Sequence, residues 1–253
     1  FPFHLAPNAV LFWLLSACVS GLSGIPERTY PLRYFSEDKI KKAVQVAATI
    51  IAVYFCFLSV KPLIGSVYAA NGLIGAFGNR NEDAKVELMK AIRWAPYNGN
   101  AHFYLGNVEM SIGNFDNAVS ELQTALKYTN DPHIHFNLGL AYYNKMDYGE
   151  AAKKFEEAVV LKPALKEGYT YLGDIAWRQK RQEDAVMHYK KAIEIDGNYL
   201  AAHRQLGFMF FHLGRKEEAK SELDKVMKLH SFDAAAARAL KSMKKENKKE
   251  LKK

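Results

Sequence analysis

Gly72, Gly106, Gly139, Gly173 and Gly207 stand 34, 33, 34 and 34 residues apart. Ala84, Ala118, Ala151, Ala185 and Ala219 keep the same step. So do Ala91, Ala125, Ala158 and Ala192, with Val226 in the fifth slot. Three small-residue ladders locked to one period mean a repeat array. The physical reason is close packing. Each small residue sits where two helices cross, and a larger side chain would push the backbones apart.

The clearest unit runs from Pro132 to Leu165. It reads His135-x-x-Leu138-Gly139-x-x-Tyr142, then Tyr148-x-x-Ala151-x-x-x-Phe155-x-x-Ala158, then Pro163. Its neighbours carry Leu105-Gly106 with Ala118, Leu172-Gly173 with Ala185, Tyr189 and Ala192, and Leu206-Gly207 with Ala219 and Leu223. A degenerate copy starts near Gly65 and ends at Ala91 and Pro96. The pattern resembles the tetratricopeptide repeat (TPR) over residues 65–231. The resemblance implies an all-α solenoid of units 65–98, 99–131, 132–165, 166–199 and 200–231, stacked as a right-handed superhelix. Each unit would be two antiparallel helices, unable to bury its apolar face without its neighbours. Asp147 is placed to cap the helix that follows it. Residues 232–253 read as a capping helix and basic tail, with Phe232, Ala236, Leu240 and Met243 on the sealing face.

The first 64 residues have a different character. Leu5–Ile25 and Ala43–Val60 carry no charge, and each is long enough to cross a hydrocarbon core of about 30 Å. They predict a transmembrane hairpin with spans at about 5–25 and 43–64. Arg28, Arg33, Lys39, Lys41 and Lys42 lie between the spans. Short Lys/Arg-rich loops stay in the cytoplasm, so both chain ends and the array are expected on the external side, the periplasm of a cell that has one. That points to a bacterial inner membrane. Leu15-Ser16-Ala17-Cys18 also matches a lipoprotein-signal pattern, with Cys18 as acylation site. No basic stretch precedes it, and a second span would duplicate a lipid anchor.

The chain opens on Phe1 and reads as a segment of a longer protein. Phe1-Pro2-Phe3-His4-Leu5-Ala6-Pro7-Asn8-Ala9-Val10-Leu11-Phe12-Trp13 resembles the stretch leading into one of the last transmembrane helices of O-antigen ligase/polymerase-like membrane proteins. The resemblance covers about residues 1–24. Several members of that family carry a further span and a C-terminal TPR array, the order of parts found here. It implies cell-envelope polysaccharide assembly, with the catalytic Arg and His of such enzymes on a loop before this point. The alternative is a stand-alone membrane-tethered TPR scaffold, or a lipoprotein, with no enzymatic role.

No phosphate loop, nucleophile elbow or His-Glu-x-x-His motif occurs in the chain, so no catalytic residue, metal or cofactor is assigned. The two cysteines, Cys18 and Cys56, form no Cys-x-x-Cys. The histidines read as scattered, with His133-x-His135 the only close pair. The formal charge is +8. Eight Lys/Arg against three Asp/Glu fall from Phe232 onward. That tail could touch anionic lipid, and no nucleic-acid motif accompanies it.

The TPR resemblance places the first helix of each unit on the concave groove. There the candidates for a protein or peptide partner are Phe103, Asn107, Phe136, Tyr143, Asn144, Trp177, Arg178, Arg204, Phe208 and Phe211, with Asp174 and His212 on the same faces. Aromatic rings with Arg are the usual anchors of an interface. The carboxylate clamp by which some TPR domains hold chaperone C-termini is not reproduced. Phe103 replaces its Lys, Leu140 its second Asn, and Thr170 and Asp174 its later basic pair, leaving only Asn107.

Overall fold

A computed structural model describes residues 37–250 of the chain. Among them are eleven helices: α1 Glu37–Phe77, α2 Asn81–Trp94, α3 Gly99–Ser111, α4 Phe115–Leu126, α5 Pro132–Asn144, α6 Tyr148–Leu161, α7 Lys166–Arg178, α8 Gln182–Ile195, α9 Leu200–His212, α10 Lys216–Leu229 and α11 Ala234–Glu250. The fold divides into two units, one ending at Ala101 and one beginning at His102. The first predicted span, 5–25, the resemblance over 1–24 and Cys18 lie outside the described residues.

The glycine ladder works through a partner sixteen residues on. A methyl group on Gly139 would come within 2.6 Å of the Phe155 ring, and one on Gly173 within 2.6 Å of Tyr189. Gly106 meets Leu122 at 2.7 Å, Gly207 meets Leu223 at 2.8 Å, and Gly72 meets Leu88 at 2.5 Å. Each bulky partner is fully buried or nearly so. The large side chain of the second helix fills the place where the first helix has none. Every member of both alanine ladders, and Val226, has no exposed surface.

The turns between paired helices show a fourth ladder. Asn79, Gly113, Met146, Lys180 and Gly214 all have positive φ, at 57°, 83°, 64°, 63° and 72°. They fall 34, 33, 34 and 34 residues apart. The left-handed residue reverses the chain after each first helix. Asn79 is the sign that α1 and α2 form a repeat of the same kind.

The predicted boundary at residue 64 falls inside a helix. Residues 43–64 and the start of the repeat at 65 share α1, which runs unbroken through both. Pro62 lies inside it. Proline removes one helical hydrogen bond without having to end the helix. Gly65, Gly72 and Gly75 then let α2 approach closely, with Ala95, Leu88 and Ala84 against them. Lys39, Lys41 and Lys42, expected in a loop, fall in the first turns of α1. One described helix, Val44–Phe77, is long and apolar enough to cross a membrane by length and composition. Ile50, Val53, Tyr54, Leu63 and Ile74 on it are exposed.

In the second unit, α5 pairs with α6, α7 with α8 and α9 with α10, and each pair stacks on the next through α6–α7 and α8–α9. α11 closes the stack against α9 and α10. Ala236, Ala239 and Met243 are its buried face, while Leu240 is partly buried. Phe232 is not part of that face. It is 88% exposed, because it precedes the helix and Asp233 takes the N-cap. Asp233 accepts from the backbone N–H of Ala235 and Ala236 at 3.1 and 2.9 Å. Asp147 caps α6 as expected, accepting from Glu150 N–H at 3.2 Å.

The histidines are not scattered in the fold. His102, His135 and His203 each stand four residues before a ladder glycine. All three are buried, and each places Nδ1 on a second-helix glutamate: Glu121 at 2.6 Å, Glu157 at 2.8 Å and Glu222 at 2.6 Å. The fourth slot holds Tyr169, stacked on His188. Sequence spacing hid this, since each His finds its partner on another helix.

Two sets of measurements check these assignments. Gly139→Ala should lower stability by about 2 kcal/mol, because the buried Phe155 ring cannot retreat. Gly113→Ala meets nothing within 4 Å, yet should cost about 1 kcal/mol through its left-handed backbone. Lys180→Gly should gain up to about 0.5 kcal/mol for the converse reason. Urea midpoints of the purified chain would report all three.

Asp233 gives the pH test. The backbone N–H of Ala236 lowers its pKa most among the favourable contacts, followed by Arg204, while burial opposes them. A carboxyl held below its unfolded value of about 3.9 stabilises the fold above that pH. The contribution should fade as pH falls from about 5 through the folded value. Asp233→Ala should cost about 1 kcal/mol at neutral pH and flatten the acid limb of the melting-temperature profile.

Candidate functional site

The inward faces of α5, α7 and α9 meet in a cavity of about 460 Å³. Tyr143, Asp174, Trp177, Arg178, Tyr189, Gln205, Phe208, Met209 and His212 line it. Four of the ten residues expected from the sequence are therefore gathered there: Tyr143, Trp177, Arg178 and Phe208.

The aromatic wall is built across repeats. Tyr143 packs against Tyr148 with centroids 5.5 Å apart and against Tyr171 at 5.3 Å. Tyr171 stacks on Phe155 at 5.1 Å, with 9° between planes. The Arg178 guanidinium lies 5.6 Å from the Tyr143 centroid and 5.3 Å from that of Tyr148. Its Nε donates to the Tyr143 hydroxyl at 3.2 Å. That bond raises the Arg178 pKa, so it is a cation at every accessible pH.

Asp174 is a carboxylate in this largely apolar wall. Tyr189 Oη donates to its Oδ1 at 2.6 Å and Gln205 Nε2 to its Oδ2 at 3.3 Å. Burial pushes the Asp174 carboxyl up despite both bonds. The Tyr189 phenol is pushed up as well, by burial first and by Asp174 second. The three side chains tie α7, α8 and α9 together behind the cavity.

The other expected residues have different uses. Phe103 packs against Leu122, Ala125, Ile134 and Leu138. Phe136 faces Phe155 and Tyr171, at 5.5 and 5.9 Å. Both rings are interhelical packing. Asn107 accepts from Asn137 at 2.6 Å, linking two repeats. Asn144 is exposed and donates to Leu140 O at 2.9 Å. Arg204 pairs with Asp233 at 3.3 Å, and Phe211 packs on the core around Leu206 and Met209. Tyr189, Gln205 and Met209 were not among the sequence candidates. The signal for Tyr189 was available: its place sixteen residues after Gly173 makes it the largest group to span a helix pair. Among the described residues, no group of three His, Cys, Asp or Glu could hold a metal ion.

Residues 103–166 and 176–243 each match a profile of the tetratricopeptide repeat. Together the two cover just over half of the chain. The small glutamine-rich tetratricopeptide repeat-containing protein 2 of Saccharomyces cerevisiae is 27% identical over 130 residues, covering 51% of this chain and 37% of that protein. The peroxisomal targeting signal receptor of the same yeast is 28% identical over 105 residues, covering 42% and 17%. The protein O-mannosyl-transferase Tmtc3 of Drosophila melanogaster is 26% identical over 155 residues, covering 54% and 17%. The chain thus spans well under half the length of these relatives.

Solved structures agree on the fold. PilF of Pseudomonas aeruginosa superposes with a TM-score of 0.65 at 21% identity, covering 74% of this chain and 87% of its own. MamA gives 0.59 at 20%, covering 65% and 96%. YrrB, described as a TPR protein with an unusual peptide-binding site, gives 0.58 at 19%, covering 69% and 90%. Profiles, glycine ladder and helix pairing all agree, and the chain belongs to the tetratricopeptide-repeat family.

Proposed function

We propose that this chain is a membrane-anchored TPR module that holds a protein or peptide partner in the groove formed by α5, α7 and α9. The observation that carries the reading is the cavity. Trp177 and Phe208 are only partly buried there, beside an exposed Arg178. Large rings that keep exposed surface in a concave site are the groups that anchor partners.

For the anchor, the supporting observation is the N-terminal part of α1. Val44–Val60 is uncharged and spans about 26 Å at 1.5 Å per residue. Lys61 follows, its Nζ 4.7 Å from the Phe57 centroid, suited to an interface where a cation snorkels. The repeat then begins within the same helix. The Lys/Arg between the two apolar stretches supports an external array. The order of parts and the resemblance of residues 1–24 support a C-terminal portion of an O-antigen ligase-like protein of cell-envelope polysaccharide assembly. A relative named as a protein O-mannosyl-transferase is in line with an array attached to glycosyl transfer. The Lys-rich tail from Phe232 onward, with eight Lys/Arg against three Asp/Glu, would suit contact with anionic lipid.

A Tyr143→Ala, Trp177→Ala double variant should keep its helical spectrum and lose its partner in a pull-down from envelope extract. A Glu156→Ala, Glu183→Ala control, on exposed second-helix positions, should retain it. The reverse pattern would move the site to the convex face. For topology, a periplasmic alkaline phosphatase fused after Lys253 should be active and a cytoplasmic fluorescent protein there dark. Fluorescence without phosphatase activity would reverse the orientation and remove the external reading.

A further inference from the structure

Arg178 differs from the arginines around it. Arg181, Arg204 and Arg215 each hold a carboxylate: Asp184, Asp233 and Glu218. Among the described residues none lies within ion-pair distance of Arg178. Asp174, one helical turn away, has its oxygens on Tyr189 and Gln205 instead. The exposed Arg178 side chain is nevertheless fixed. Its Nε is committed to Tyr143 Oη, and its guanidinium carbon sits 5.6 and 5.3 Å from the centroids of the Tyr143 and Tyr148 rings. A guanidinium tied at Nε keeps two terminal nitrogens for another acceptor, and their spacing matches the two oxygens of a carboxylate. The Tyr143 hydroxyl accepts from Arg178 and so keeps its own proton to donate.

The surroundings add an apolar requirement. Trp177 and Phe208, on neighbouring first helices, line the same cavity as Arg178. Met209 lies buried beside them. An aromatic shelf next to a held cation suits an apolar side chain followed by an anionic one. Holding the cation in advance also removes part of the ordering cost of binding.

We propose that this cavity is the subsite for an acidic side chain of an extended partner segment. An Asp or Glu carboxylate is taken by Arg178 through two parallel N–H···O bonds, with the Tyr143 hydroxyl beside it. The adjoining apolar residue of the segment lies against Trp177 and Phe208. The inference rests on the groove reading above and specifies the partner's chemistry. It uses none of the carboxylate-clamp positions, of which only Asn107 is present.

The test is a selection followed by a double-mutant cycle. Random twelve-residue peptides, displayed between Gly-Ser flanks, are selected on the full chain in detergent micelles. The enriched peptides should share an Asp or Glu next to Leu, Ile, Met or Phe. Each is then synthesised with a fluorescent label, both as selected and with the acid changed to its amide, and Kd values are measured from the anisotropy of the labelled peptide. The amide should weaken binding to the unaltered chain about tenfold or more. Against Arg178→Gln, acid and amide peptides should bind alike, and Arg178→Lys should recover only part of the difference, since it restores charge without the fork. Circular dichroism checks that both variants remain helical. Peptides that bind with equal affinity as acid and amide would overturn the acidic subsite while leaving the groove reading intact. So would peptides whose binding needs a free C-terminal carboxylate. If no peptide is enriched at all, the groove reading fails and the subsite with it.

Discussion

The contact on which the rest of the structure depends is that between a ladder glycine and the side chain sixteen residues later. A missing side chain on one helix and a large one on its partner fix how closely the pair can lie. Phe155 and Tyr189 would have nowhere to go against any residue with a Cβ. Once that distance is set, the alanine ladders follow. Their members sit with no exposed surface in the same interfaces, where one more methylene would be felt. The turn follows too. A pair this close needs an abrupt reversal, supplied by one left-handed residue after each first helix.

The groove is a consequence of stacking such pairs. Its contacts run between repeats: Asn107 to Asn137, Asp174 to Gln205, and Tyr143 to Arg178. The first two join the residue after one ladder glycine to the residue two before the next glycine. The same geometric slot therefore carries an amide pair in one interface and a half-buried carboxylate in another. The array keeps the interhelical contact constant and varies what is presented beside it. The cavity requires three successive first helices, so no single repeat contains it.

What was legible in the sequence divides along the same line. Steric requirements that admit few residues were easy to read: Gly139 against Phe155, Ala151 between helices, and Asp147 as a cap. Requirements that many residues can meet were not. The turn ladder is hidden because Met146 and Lys180 bear the left-handed strain that Gly113 and Gly214 avoid. The His–Glu ladder is hidden because each partner lies on another helix. In the groove, counting along a helix finds the inward face but does not tell a ring that packs from a ring that waits. Phe103 and Phe136 look like Trp177 and Phe208 on paper. They differ only in what the next helix brings over them. Arg204 and Arg178 are alike in sequence, and only the fold separates them by placing Asp233 on Arg204.

α1 is where two requirements share one helix, and its composition shows the compromise. Its second half has lost most of the repeat signature but keeps Gly72, and α2 keeps Leu88, because that contact cannot be exchanged for another. Gly65 and Gly75 extend the close approach along α2, against Ala95 and Ala84. The opposite side carries Leu63, Val67, Ile74 and Phe77, all exposed and apolar. A helix that packs on α2 through glycines and still presents large apolar side chains elsewhere satisfies a different constraint on each face. Pro62 falls between the uncharged stretch and the glycine-bearing one, where a lost hydrogen bond can bend the helix without costing either face its contacts. The weak repeat signature at residues 65–98 therefore has a physical cause. Only the residues facing α2 are constrained by the array, and these are the ones that remain in register.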